Sequence, residues 1–208
     1  MEHTHGKEIP YGFPTIFGRG LLDEFKHFVN PPFLVVTMED IWPMFGHHFE
    51  GAECQTYFCG SLEQDDLNKE AENLGEVRAM VGLGGGQALD VANYFSWRKN
   101  LPLFQAPTAL SVNAVYGQRS GIRIDGKVVY RGWAVPETVY IDYDVLANCP
   151  AHLNWSGIGD ILCFHTGVLD WKYAERVGKI EDKWPYDECL ACLLYTSQSP
   201  LDVIQSRM

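Results

Sequence analysis

Basic side chains are scarce in this 208-residue chain: Lys and Arg number 16 against 27 Asp and Glu, a formal net charge of -11. Such a surface repels a phosphate backbone and no basic cluster interrupts the trend, so nucleic acid is not an expected partner. Long apolar runs are missing as well. No stretch approaches the roughly 20 apolar residues needed to cross a bilayer, and the opening MEHTHGKEIPYGF has no apolar segment behind a cationic start. A cytoplasmic protein with no membrane partner is expected. The six cysteines, at 54, 59, 149, 163, 189 and 192, form no tight framework, and a chain of this size needs no disulfide staples. Reduced thiols are the simplest account, even for the C-x-x-C pair Cys189 and Cys192. Before residue 192 the chain has neither internal repeats nor low-complexity tracts.

What is present is enough apolar matter for a packed core, 46% of the residues. Phe33, Leu34, Val35, Val36 and Thr37 make a short apolar, β-branched run entered from Pro31 and Pro32, the pattern of a buried strand. A second run at 77–83 ends in glycines. Directly after it, Ala88, Leu89, Val91, Ala92 and Phe95 recur at helical spacing, closed by Trp97, Arg98, Lys99 and Asn100. Strand, glycine turn and helix are half of a βαβ unit. Residues 103–106 predict a third strand and 138–141 a fourth, so the expected class is α/β with a parallel sheet. Between them, Asp125-Gly126 separates two alternating runs over 121–130, which predicts a β-hairpin. After Pro150 the pattern turns helical over 156–179, with apolar Ile161, Leu162, Phe164, Val168, Leu169 and Trp171, and a domain boundary is expected near residue 150.

Gly82, Gly84, Gly85 and Gly86 stand where a parallel sheet binds a dinucleotide, after a strand and at the start of a helix. Glycines there let the backbone approach a pyrophosphate, and the first N–H groups of the helix favour negative charge. The run departs from the G-x-G-x-x-G fingerprint, which from Gly82 requires glycine at Gln87, and no Gly-Lys-Ser/Thr follows to make a P-loop. By itself such a turn serves packing more often than phosphate.

Its company is more specific. Gly84-Gly85-Gly86-Gln87-x-x-Asp90, then Pro107-Thr108-Ala109-Leu110-Ser111-Val112-Asn113-Ala114, then Ser156-Gly157-Ile158-Gly159-Asp160 resemble motifs of one superfamily in order and spacing. That superfamily holds the iron-containing alcohol dehydrogenases, glycerol dehydrogenases and glycerol-1-phosphate dehydrogenases, together with dehydroquinate synthase. The segment PTIFGRG at 14–20 looks like its first strand and turn, and the likeness runs over about 10–175. It implies a Rossmann-like parallel-sheet nucleotide-binding domain over 1–150, followed by the truncated start of an all-helical metal-binding domain over 151–191.

The resemblance also implies roles. Gly84, Gly85, Gly86, Gln87 and Asp90 would hold the pyrophosphate of NAD or NADP, with Gln87 in place of the family's usual serine. Thr108 and Ser111 would line the cofactor near its nicotinamide, and Glu39 would stand near the adenosine ribose, where members often carry aspartate. Asp160 would be the first ligand of a catalytic divalent ion, iron or zinc, whose two histidine partners come much later in the family. A carboxylate and two imidazoles leave open positions for a substrate hydroxyl, whose adjacent C–H delivers hydride to the nicotinamide. Asn113 replaces a common aspartate; it can still hydrogen-bond a substrate but carries no charge. His165, five residues beyond Asp160 and so about 500° around a helix, is the further candidate ligand or substrate contact. Read without the motif, His165 is a satisfied helix histidine and Asp160 a helix cap. His3, His5, His47 and His48 follow loop-like sequence and are expected to be solvated.

Residues 159–171 look closer to the glycerol-1-phosphate dehydrogenase-like branch, which favours a small polyol or polyol phosphate over a simple alkanol. The expectation is an NAD(P)- and metal-dependent oxidoreductase acting on a CH–OH group, with a small-molecule partner and homo-oligomerisation left open. The chain itself is expected to be an inactive fragment. Two alternatives stand beside this: a non-catalytic nucleotide-binding module and a dehydroquinate synthase-like lyase. The lyase's glutamate ligand and lysine-rich substrate segment have no match here, the latter at 115–119. Residues 192–202, CLLYTSQSPLD, resemble the translation of a sequencing-library adapter, so 192–208 are expected to be a non-native tail.

Overall fold

Strand β2 (Phe33–Thr37) is buried along its whole length, with Phe33 and Val35 in one apolar cluster and Leu34 and Val36 in another. A strand that buries both faces needs helices on both sides, which is the situation of a parallel sheet. The computed structural model describes residues 14–181 and 184–196, with 193–196 as backbone alone. In chain order they form β1 (Thr15–Gly18), α1 (Leu21–Phe28), β2, α2 (Trp42–Phe45), β3 (Cys54–Phe58), α3 (Gln64–Asn73), β4 (Ala79–Gly84) and α4 (Gly86–Lys99). There follow β5 (Leu103–Pro107), β6 (Ser120–Ile124), β7 (Lys127–Arg131), β8 (Thr138–Asp142), α5 (Tyr143–Ala147), α6 (Ala151–Arg176) and α7 (Glu188–Thr196). Short 3-10 turns lie at Gly46–Phe49 and Asn113–Tyr116.

Six strands make one parallel sheet in the order β3-β2-β4-β5-β8-β1. On one face α1 sends in Leu22 and Phe25, which meet Val81, Leu83, Ala106 and Tyr140. On the other, α3 and α4 supply Leu67, Ala71, Val91, Ala92, Tyr94 and Phe95 against Leu34, Val36 and Met80. Each fully buried Leu, Val, Met or Phe side chain among them is worth about 1.5–3 kcal/mol, more than helix propensity contributes at any one position. Helix α4 ends on Asn100 in the left-handed region, φ 52°, its N–H bonded to the carbonyls of Ser96 and Trp97.

The four expected strands, the helix after the glycines and the hairpin all form. The hairpin is β6 with β7, turned by Asp125 at φ 51° and Gly126 at φ 73°, the positive-φ pair that a two-residue hairpin turn requires. Elements α1, α2, β3 and α3 went unread in the sequence. The reason for α3 is its polarity: QDDLNKEAEN buries Leu67 and Ala71 alone, too sparse a stripe to register as a period. Strand β3 is a half-exposed edge whose residues alternate weakly.

Asp142 closes the sheet's other end. Its carboxylate accepts from the Asp144 N–H at 2.9 Å, capping α5, and from the Leu22 N–H at 3.1 Å in the first turn of α1. From Ala151 the chain continues as a 26-residue helix with no buried residue, on which Trp155 is 69% exposed. None of the six cysteines forms a disulfide. Among the described residues no helix is long and apolar enough to cross a membrane. His3, His5 and the tail from 197 lie outside the described residues; α7 runs through Cys192 to Thr196.

Candidate functional site

The crossover from β2 goes outward to β3, and the next returns to β4 on the opposite side of β2. Between the carboxyl ends of β2 and β4 the sheet therefore opens into a crevice, the place where such sheets bind ligands. Gly84, Gly85 and Gly86 lie at its rim, joining β4 to α4.

The glycines there do different things. A Cβ on Gly82 would stand 2.1 Å from Gln105 Oε1 and 3.0 Å from the Ala92 Cβ, so its absence lets α4 lie close on the sheet. Gly84, at φ 154°, would place a Cβ 2.8 Å from that of Ala88, and Gly86 would place one 3.0 Å from Val112 Cγ2. Gly85 differs, because its φ of −82° suits any residue and a Cβ there would meet nothing within 4 Å. Packing does not require glycine at 85. Gly85 is also the N-cap of α4 and no side chain caps that helix, so its first-turn N–H groups have no side-chain acceptor at the cap, and the space beside Gly85 is clear. This open cradle fits a pyrophosphate.

The 107–112 loop builds the second wall. The buried Thr108 donates its N–H to the Gly84 carbonyl at 3.0 Å, and Val112 lies over Gly86. Ser111 is half-buried and Asn113, exposed, begins the following 3-10 turn. The same loop touches α6. The Leu110 N–H donates to Asn154 Oδ1 at 3.2 Å, and a Cβ on Gly157 would stand 1.8 Å from the Leu110 carbonyl oxygen. Asp160 follows Gly157 by three residues and so shares its face of the helix. It is half-buried and, with Cys163, Phe164, Gly167, Val168 and Trp171, lines a shallow groove of about 260 Å³.

The glycine turn, Thr108, Ser111 and the start of α6 are thus brought together by one loop. Gln87 is half-buried in the first turn of α4, and Glu39 is exposed two residues past β2, at the carboxyl edge of the sheet. Asp90 has another partner than the turn. It lies a helical turn further along α4 and its carboxylate accepts the backbone N–H of Gly121, while burial pushes its pKa up to about 6. His165 is exposed on α6. His48, expected in solvent, instead bonds Asp23 through Nδ1 at 2.6 Å, and the His47 ring lies tilted against it, centroids 4.0 Å apart. That contact holds the Asp23 carboxyl below its usual range. Gln105 and Asn154 were missed, since each acts on residues 16 and 44 positions away.

The divalent ion implied by the resemblance needs three protein donors. Among the described residues no three His, Cys, Asp or Glu side chains are grouped to hold one, so Asp160 by itself does not make that site.

A family model described as iron-containing alcohol dehydrogenase matches residues 46–150. Among curated relatives, a glycerol-1-phosphate dehydrogenase of Aeropyrum pernix is 34% identical over 117 residues, covering 56% of this chain and 33% of the relative. The corresponding protein of Hyperthermus butylicus is 23% identical over 186 residues, 83% of this chain and 53% of the relative. The chain spans about a third to a half of the length of these relatives. Of solved structures, a glycerol dehydrogenase from Schizosaccharomyces pombe superposes with TM-score 0.64 at 21% identity, over 82% of this chain and 48% of that one. A putative alcohol dehydrogenase from Ralstonia eutropha gives 0.68 at 13% identity, over 89% and 52%. On the match over residues 46–150, the chain belongs to the iron-containing alcohol dehydrogenase family.

Proposed function

We propose that the chain is the NAD(P)-binding part of an oxidoreductase that acts on the CH–OH group of a small polyol or polyol phosphate. The observation that carries this is the clear space over Gly85 at the uncapped start of α4, beside the sheet's topological crevice. The amides of Gly86 and Gln87 hold the pyrophosphate, and Thr108, fixed through its own N–H to Gly84, keeps the second wall in register. Ser111 and Asn113 occupy the loop between the turn and α6, the position for contacts to the nicotinamide ring and the substrate hydroxyl. A bound nicotinamide supplies the hydride acceptor. Polyol or polyol phosphate as substrate is supported by the names of the glycerol-1-phosphate dehydrogenase relatives. In this reading 1–150 is the nucleotide-binding unit and 151–191 opens a helical unit that carries Asp160 toward the reacting carbon.

The test is a calorimetric or fluorescence titration of the chain with NADH and with NADPH, repeated on Gly85→Asp. Saturable binding that the variant loses, with its circular dichroism unchanged, supports the reading. No saturable binding of either nucleotide, or binding indifferent to an added carboxylate at 85, overturns it.

A further inference from the structure

Two features of α6 serve no apolar core. Asn154, on the second turn, accepts from the Leu110 N–H at 3.2 Å and donates to the Leu146 carbonyl at 3.4 Å. Gly157, one turn on, lets the helix backbone lie against Leu110, where any Cβ would collide. The first turns of α6 bury no apolar side chain, so these polar and steric contacts fix where they stand. The loop they grip is the one that Thr108 ties to Gly84 and that lays Val112 on Gly86. A continuous covalent and hydrogen-bonded path therefore runs from the glycine turn, through residues 107–112, to the helix face carrying Asp160.

We infer that Asn154 is a positioning residue: with Gly157 it docks α6 on the 107–112 loop, so that a dinucleotide seated on the glycine turn also sets where Asp160 stands. This rests on the dinucleotide reading of the turn. A nucleotide seated over Gly85 against the edge of the loop narrows the loop's range of positions, and the Leu110 amide passes that restriction to Asn154. Such coupling is reciprocal: whatever factor NADH adds to helix docking, docking adds to NADH affinity.

Amide hydrogen exchange of the whole chain, with and without saturating NADH, tests this, with the NADH affinity measured in parallel. In the native chain NADH slows exchange over 153–160 by about fivefold, the share of a single hydrogen bond. Asn154→Leu abolishes that slowing and weakens NADH binding by no more than the same factor. Asn154→Asp restores the slowing, because its carboxylate still accepts the Leu110 N–H although it no longer donates to Leu146. A residue that merely held α5 to α6 would give the opposite result, since that bond needs the amide donor. Bound NADH with unaltered exchange at 153–160, or slowing that survives Asn154→Leu, overturns the inference alone. Failure of both NADH and NADPH to bind overturns the dinucleotide reading and the coupling with it.

Discussion

Gly157 and Leu110 meet so closely that a methyl group on Gly157 would stand 1.8 Å from the Leu110 carbonyl oxygen. Backbone rather than a flexible side chain occupies that point, so the helix must move to admit it. Gly157→Ala is expected to lift the start of α6 off the loop while leaving the sheet intact, because α6 buries nothing in either core. Limited proteolysis should then cut within 151–176 faster than in the native chain. An unchanged cleavage rate would show that the contact bears no weight.

Gly85 and Gly82 give opposite outcomes. Gly85→Asp meets open space and ordinary φ, so unfolding should be unaffected, while NADH affinity falls by about tenfold or more through repulsion of the pyrophosphate. Gly82→Ala places a methyl 2.1 Å from Gln105 Oε1 and should cost about 1–3 kcal/mol of overpacking in denaturant titrations. Gln105 cannot swing aside freely, since its Nε2 is bonded to the Leu89 carbonyl at 3.1 Å. Adding Gln105→Ala should therefore recover part of that loss.

Asp90 makes stability depend on pH in a known direction. Burial raises its pKa from 3.8 to about 6, so the folded chain binds this proton more readily than the unfolded one. Its contribution is present below about pH 4 and is lost as pH rises through about 6, a change on the order of 3 kcal/mol. Asp90→Asn keeps an oxygen for the Gly121 N–H and carries no charge. It should be more stable than the native chain at pH 8 and equal to it near pH 4. A stability difference that stays constant over that range would remove Asp90 as the cause.

Glu39 stands exposed past the end of β2, at the carboxyl edge. A carboxylate beside an adenosine ribose favours the 2′-hydroxyl over a 2′-phosphate, and arginine reverses the preference. Glu39→Arg should move the ratio of NADH to NADPH affinity toward NADPH by about tenfold. An unmoved ratio would place the ribose elsewhere.

Local patterning determined much by itself. The β-branched run at 33–37, the glycines ending β4, the helical spacing from Ala88 and the Asp125-Gly126 turn are each written within a few residues, because strand, helix and hairpin periods are local properties of the backbone. The spaced motifs carried the family, the sheet class and the turn that would hold a nucleotide. Tertiary structure alone decided which glycine is spare and which is packed, since that depends on Gln105, Ala92 and Val112 arriving from other elements. It alone turned Asp90 toward Gly121, paired His48 with Asp23 and set Asn154 against Leu110. Those contacts join residues 31, 25 and 44 positions apart, and their energies depend on strand order and on where α6 meets the 107–112 loop, neither of which any local period encodes.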